Sequence, residues 1–305
     1  MLKILLLGKH GQLGQALQQT LAPLGQLIAL DRTQLDISQA ELLSSTIQAI
    51  KPDVIVNAIA YTDVEQAEQQ SAPAYAINSI ALQVLASQAQ QIDAWLIHYS
   101  TDYVFDGNKS TSYNETDMVS PLSIYGKSKL AGEYAIQQAG CRYIIFRTGW
   151  LFSATGNNFA LSVLKQAQQK SSLNVVADQY GAPTSAALVA QVTAKCIQKL
   201  GSQPLAISFA QQGIYHLVSK GETTWYGYAQ YLITVAQQQG FAMHMNASAV
   251  QPISAKQYTY HAQRPTNSRL CVSKLETTFD IILPTWQQVV DQQIPLIVNR
   301  LSKGK

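Results

Sequence analysis

The chain opens on a continuous apolar run, Ile4 to Leu7, that ends at the glycines Gly8, Gly11 and Gly14 of "GKHGQLG". Leu13, Leu17 and Leu21 then recur at helical spacing until Pro23 closes the segment. This pattern predicts strand, turn, helix. It continues with a strand at Leu27 to Leu30, a helix through Leu42, Leu43, Ile47 and Ile50, and a strand at Asp53 to Asn57. A helix from about Ala72 to Gln90, a strand at Trp95 to Tyr99, a helix at Ile124 to Gln137 and a strand at Tyr143 to Phe146 follow. Short, uninterrupted apolar strands are buried on both faces, and alternation with helices of this length makes a parallel sheet. The predicted fold is α/β, a doubly wound parallel sheet of Rossmann type, which binds ligands at the carboxyl ends of its strands.

The pattern is less regular beyond Trp150. "NNFALSVLKQAQQ" and Ser185 to Leu200 read as helices, and "LNVV" and "GIYHLV" as strands. No low-complexity linker or internal repeat separates the halves. Residues 1–150 are therefore expected to form the dinucleotide-binding domain. Residues 151–305 are expected to form mainly a smaller, interwoven substrate-binding lobe, with some strands and helices returning to the first domain.

Composition narrows the function classes. A hydrophobic fraction of 47% supplies a substantial core, while only 13% of residues are charged and glutamine takes many water-facing helix positions. A net charge of +3 without a basic run argues against nucleic acid. Cys141, Cys196 and Cys271 are odd in number and widely spaced, which argues for reduced thiols in a cytoplasm and against a disulfide framework or zinc site. The opening run is too short for a signal peptide, and no stretch approaches the ~18 apolar residues of a membrane span.

The candidate chemistry lies at the strand ends. Gly8 and Gly11 let the backbone turn tightly and approach a pyrophosphate, Gly14 lets the helix pack closely, and the helix amides face the phosphates. The spacing is one residue longer between the first two glycines than in the ordinary dinucleotide fingerprint. Asp31 ends the second strand, where a carboxylate would bind an adenosine ribose diol. Arg32, with Lys9, would instead meet a 2′-phosphate, so NADH and NADPH both stay open, and Arg32 reads equally well as a solvated charge. Ile59, Ala60 and Tyr61 follow the third strand and would lie beside the cofactor. Tyr125 and Lys129, four residues apart, share one helix face. A phenol with an ordinary pKa near 10 can exchange a proton near neutrality if cations lower it by about three units, worth roughly 4 kcal/mol, which the Lys129 ammonium and the positive nicotinamide of an oxidised cofactor are expected to share. Thr101, after the strand "WLIHYS", would hydrogen-bond the same carbonyl oxygen. His216, within "GIYHLV", reads as a core residue, not a base.

These residues, with "PDVIVNAIAYT", "HYSTDYVFDG", "SPLSIYGKSKLAGE", "FRTGWLF", "GNNFA", "DQYGAPT" and "RPTNSRL" in that order, resemble the extended short-chain dehydrogenase/reductase family over nearly the whole chain. The resemblance implies a cytoplasmic NAD(P)H-dependent enzyme that reduces the C4 keto group of dTDP-4-dehydro-L-rhamnose. It puts Gly11, Gln12, Leu13, Asp31, Asp36, Ile37, Ile59 to Tyr61, Tyr99, Tyr125 and Lys129 on the dinucleotide, and Thr101, Asp102 and Trp150 on the substrate. Trp150 could stack on the sugar or base, with core packing an equal alternative. Arg264 suits the sugar-nucleotide pyrophosphate through its planar fork, and Asn267 could add a hydrogen bond. Some members dimerise around a divalent cation held by glutamates. The matching positions here are Ala16, Ala187 and Gln287, so no metal site is expected, and a monomer or weak homodimer. The competing readings within the family are a reductase or epimerase of another nucleotide sugar and a 4,6-dehydratase, and the dehydratase would carry a second acid after the threonine, where this chain has Tyr103. A non-catalytic regulatory relative would lack Tyr125, Lys129 or the glycine turn.

Overall fold

The computed structural model describes residues 1–201, 210–259 and 261–303. Its centre is a six-stranded, wholly parallel sheet built from β1 (Leu2–Leu7), β2 (Gly25–Leu30), β3 (Val54–Asn57), β4 (Trp95–Thr101) and β5 (Arg142–Thr148), with the strand Gly213–His216 on the outer edge of β5. β1 lies between β2 and β3, so the winding direction reverses beside it. The carboxyl end of β1 is thus the crevice in which a doubly wound sheet takes a ligand.

Both faces of the sheet are covered. Along β1, Ile4 and Leu6 point into one core with Leu13, Leu17 and Leu21 of α1 (Gln12–Leu21), and Leu5 and Leu7 point into the other with Leu43 and Ile47 of α2 (Ala40–Ile50). The period of two on the strand meets the period of 3.6 on each helix. Each fully buried Leu or Ile contributes about 1.5–3 kcal/mol of transfer free energy, which is why strand identity is readable from apolar runs alone.

The helix expected from Ala72 to Gln90 is broken into α4 (Ser71–Tyr75), a π-helical turn (Ala76–Ile80) and α5 (Ala81–Gln91). The bulge carries Asn78, which is buried and clamps Tyr61 by accepting its N–H at 2.8 Å and donating to its carbonyl at 3.0 Å. Short α3 (Val64–Gln69) lies between that clamp and α4. α6 (Ile124–Gln138) packs so closely on the bulge that a Cβ on Gly132 would run into the Asn78 carbonyl.

The second half adds α7 (Phe159–Ala167), α8 (Ala186–Gly201) and three two-stranded pairings, of which Leu173–Val176 with Val250–Ile253 is the longest. α8 packs against α1, so the halves share one core. Among the described residues no helix is long and apolar enough to cross a membrane.

Gly132→Ala should lower stability by about 1–3 kcal/mol, because neither helix backbone can yield without disturbing Asn78. Urea unfolding should register it as a lower midpoint at an unchanged slope.

Candidate active site

The turn after β1 brings backbone to the crevice. Gly8 adopts φ 89°, and a Cβ on Gly14 would collide with the Gly8 carbonyl, so both positions require glycine. α1 begins after Gly11 with no capping side chain and no acid in its first turn, which leaves its amides available to an anion. Gln12 turns its side chain away to the second lobe, where it bonds Asn157 O at 3.2 Å, Asn158 Nδ2 at 2.8 Å and Ser153 Oγ at 3.1 Å. Leu13 points into the core and has only its amide to offer a ligand.

Beside this turn lies a cavity of about 310 Å³. Gly8, Gly11, Asp31, Arg32, Asp36, Ile37 and Ile59 to Tyr61 line it, joined by His10, Leu35 and Ile77, which the sequence reading missed. Leu35, Ile37, Ile59 and Ile77 make apolar walls of the kind a flat base requires. Asp31 is held on both oxygens: Oδ1 accepts the Thr33 hydroxyl at 2.6 Å and amide at 2.9 Å, and Oδ2 lies 3.1 Å from both Lys9 Nζ and His10 Nε2. The Thr33 hydroxyl and Lys9 hold its carboxyl well below the usual range. Arg32 reaches into solvent, 3.5 Å from Asp36. One edge of the cavity therefore carries Lys9, His10 and Arg32 around a single ribose-type acceptor.

The reactive groups gather at the end of β4. The Thr101 hydroxyl donates to Asp102 Oδ1 at 3.1 Å, accepts the Tyr103 amide at 3.1 Å and stands against the Tyr125 hydroxyl. Tyr125 occupies the first turn of α6, which Ser123 caps. Lys129 Nζ donates to Tyr99 O at 2.6 Å and lies 3.1 Å from His98 Nε2. The lysine alone does not activate the phenol. Burial pushes the Tyr125 phenol up to about 12 and the Lys129 ammonium down to about 7, so desolvation outweighs any help that the lysine gives the phenol. Burial also pushes the Asp102 carboxyl up to about 6. Asp102 Oδ2 meets no well-formed hydrogen bond, since the neighbouring Ser268 donates its hydroxyl to Tyr180 O.

Two of the expected site residues spend their side chains on other partners. Tyr99 is buried with its hydroxyl bonded to Thr193 of α8 at 2.9 Å, so its contribution at the strand end is the carbonyl that holds Lys129. Asn267 is buried and spent: it donates to Lys109 O and Thr111 O and accepts from Arg269 N and Nε, fixing the loop that follows β4. That loop is pinned by these bonds. Trp150 takes φ 48° and stacks flat on Trp225, with ring centroids 3.6 Å apart. Trp225 and Arg264 line a second cavity of about 590 Å³ with Phe159, Lys170, Asn174 and Tyr258. Arg264 already pairs with Glu65 at 2.9 Å. His216 lies in the core, as expected, but neither ring nitrogen makes a well-formed hydrogen bond there.

Sequence reading also missed what anchors α6. Glu133, wholly buried, accepts Ser100 Oγ of β4 at 2.5 Å and Arg147 Nε and NH2 of β5 at 3.0 and 2.6 Å. The available signal was its place one turn after Lys129 on the same helix face.

The parallel sheet, the glycine turn at its switch point and the threonine, tyrosine and lysine at the end of β4 define an extended short-chain dehydrogenase/reductase. The chain belongs to the family described as RmlD substrate binding domain, which matches residues 2–298. It is 43% identical over 297 residues to the dTDP-4-dehydrorhamnose reductase of Shigella flexneri, covering 96% of this chain and 97% of that one. A crystal structure of a dTDP-4-dehydrorhamnose reductase from Clostridium acetobutylicum superposes with a TM-score of 0.88 at 33% identity, covering 97% and 99% of the two chains. One from Bacillus anthracis in complex with NADP gives 0.86 at 32% identity, again over 97% and 99%.

Two stability measurements test these assignments. The gap between 3.8 and about 6 for Asp102 corresponds to ~3 kcal/mol. Between those values the native state holds more protons than the unfolded state, so this contribution falls as pH rises and is lost above pH ~6. Asp102→Asn should therefore raise the unfolding midpoint at pH ~7 and leave it nearly unchanged at pH ~4. Glu133→Gln leaves the Arg147 guanidinium buried without its counter-charge, and should cost about 3–5 kcal/mol in the same assay.

Proposed function

We propose that this chain reduces the C4 keto group of dTDP-4-dehydro-L-rhamnose to dTDP-L-rhamnose, the last step in making that sugar nucleotide for cell-surface polysaccharide. The observation that carries the reading is the meeting of Thr101, Tyr125 and Lys129 at the end of β4, beside the cavity at the switch point. The activity of the relatives, matched over nearly the whole chain, supports the substrate.

The residues present fit a nicotinamide dinucleotide. The uncapped start of α1 suits the pyrophosphate, the apolar cavity suits adenine, and Asp31 suits the adenosine ribose, while Lys9, His10 and Arg32 at the same edge suit a 2′-phosphate. NADPH and NADH are both accommodated by this donor set, and the Bacillus anthracis relative holds NADP. When bound, the reduced dinucleotide supplies the hydride. Tyr125 gives its phenolic proton to the C4 oxygen as the carbonyl carbon becomes tetrahedral, and Thr101 donates a hydrogen bond to the same oxygen. A phenol held at about 12 is a poor acid, so the protonated form is the resident one and the proton is ready for the reducing direction. Lys129 holds the nicotinamide ribose and, as a cation, stabilises the phenolate left on Tyr125. Asp102 and Trp150 contact the sugar, and Arg264 the nucleotide pyrophosphate, in the lobe formed mainly by residues 151–305. Residues 1–150 hold the dinucleotide. The working protein is a cytoplasmic monomer or weak homodimer with no nucleic-acid partner.

The assay is the absorbance of reduced nicotinamide with the keto sugar nucleotide generated in place. A substrate-dependent loss of absorbance is expected. Tyr125→Phe should lower kcat by about 10²–10⁴-fold with dinucleotide affinity unchanged, and Lys129→Met should lower both. A Tyr125→Phe enzyme with ordinary turnover would remove Tyr125 as the proton donor.

A further inference from the structure

Asn57, the last residue of β3, sits in register beside His98 of β4. Its Oδ1 accepts the Ile59 N–H at 3.0 Å, which settles the orientation of the amide, and its Nδ2 lies 3.3 Å from His98 Nδ1. An amide nitrogen only donates, so Nδ1 is the acceptor and the imidazole carries its hydrogen on Nε2. Nε2 in turn is 3.1 Å from Lys129 Nζ. An ammonium has no lone pair to receive that N–H. Nζ can meet it only as an amine, accepting from His98 while donating to Tyr99 O. Asn57, His98 and Lys129 are each at most 1% exposed, so bulk solvent does not reach these groups.

We propose that Asn57 and His98 are positioning residues that hold Lys129 as a neutral amine before the dinucleotide binds, so that binding draws a proton onto Nζ. Burial acts in the same direction, lowering Lys129 to about 7 and His98 well below its ordinary value. The titratable and charged groups facing Nζ do not reverse this. Tyr99 presents its carbonyl, Tyr125 a neutral phenol, and Glu133 a carboxylate already paired with Arg147 of β5. Asp102 lies beyond Thr101 and is ionised near pH ~8.5, and burial still dominates in holding Lys129 down. On α3, Glu65 is spent on Arg264 and Glu68 on the Ile124 amide.

The cationic state has a structural consequence. Three hydrogens on Nζ require a lone pair at Nε2, which moves the imidazole hydrogen to Nδ1, where Asn57 receives it through its backbone carbonyl or by turning its side-chain oxygen. When the side chain turns, the Ile59 N–H loses its acceptor. Ile59 lines the cavity beside the glycine turn, so the chain from Lys129 ends at a wall of the binding site. The pyrophosphate of a dinucleotide brings negative charge that favours the cation. The proton-uptake step rests on the dinucleotide reading of that cavity; the tautomer does not.

Long-range ¹H–¹⁵N spectra of the full chain carrying ¹⁵N-histidine report the tautomer directly, with His98 assigned by its loss in His98→Gln. The free protein should show a neutral His98 with its hydrogen on Nε2, and Asn57→Asp, whose carboxylate accepts from both Ile59 and Nδ1, should move the hydrogen to Nδ1. Calorimetric titration with NADPH in buffers of differing ionisation enthalpy near pH ~8.5 should show uptake on the order of one proton in the wild type, falling toward none in His98→Gln, whose carbonyl accepts from an ammonium. A hydrogen on Nδ1, or a cationic imidazole, in the free wild type would overturn the proposal. So would NADPH binding without proton uptake. A wild type that binds no NADPH would overturn the dinucleotide reading itself, and the spectra would still decide the tautomer.

Discussion

The reactive end of the sheet depends on one buried ion pair. Glu133 of α6 accepts from Ser100 of β4 and from the guanidinium of Arg147 on β5, so a single carboxylate ties the helix to two neighbouring strands. Tyr125 and Lys129 lie two turns and one turn before it on the same helix. Their distance from Thr101 is therefore set by where Glu133 is anchored. A bidentate fork fixes direction as well as separation, and Arg147 is further held with its guanidinium 5.2 Å from the Phe105 ring. An apolar contact in this place would bury comparable area without specifying the angle of the helix.

With α6 fixed, the polar groups of the site are held out of water at a cost. Asp102, Tyr125 and Lys129 each favour their neutral form because the surroundings solvate charge poorly. For Lys129 the sign is opposite to that of the acid: the native state binds fewer protons than the unfolded state between about 7 and 10.5, so its contribution to stability rises with pH across that window. Groups that reduce stability in the free protein and gather at one strand end are the pattern expected where charge develops only during reaction.

The second lobe completes the site through long-range contacts. Gln12 at the start of α1 binds the segment from Ser153 to Asn158, and Arg264 reaches Glu65 on α3. The Trp150 and Trp225 stack joins the end of β5 to the helix Trp225–Gln238, at the border between the strand ends and the larger cavity. The loop after β4 is tied down by Asn267 and by the pairing of Tyr113 with Leu270, so the entrance is shaped by fixed backbone.

By itself the sequence determined the strands and helices of the first half, the glycine turn and the shared face of Tyr125 and Lys129, because these follow from periodicity and local backbone sterics. Apolar runs such as Ile4 to Leu7 and the leucine stripe of α1 need no partner to be recognised. The tertiary structure alone decided what each polar side chain meets. Asn57 and His98 are 41 residues apart, Asn267 and Lys109 158, and each pair is joined only by strand register or loop path. The π-turn at Asn78, the spent amide of Asn267 and the neutral amine at Lys129 all arise from such meetings. A hydrogen bond's direction, and with it the protonation of a buried group, depends on partners that no local pattern in the chain specifies.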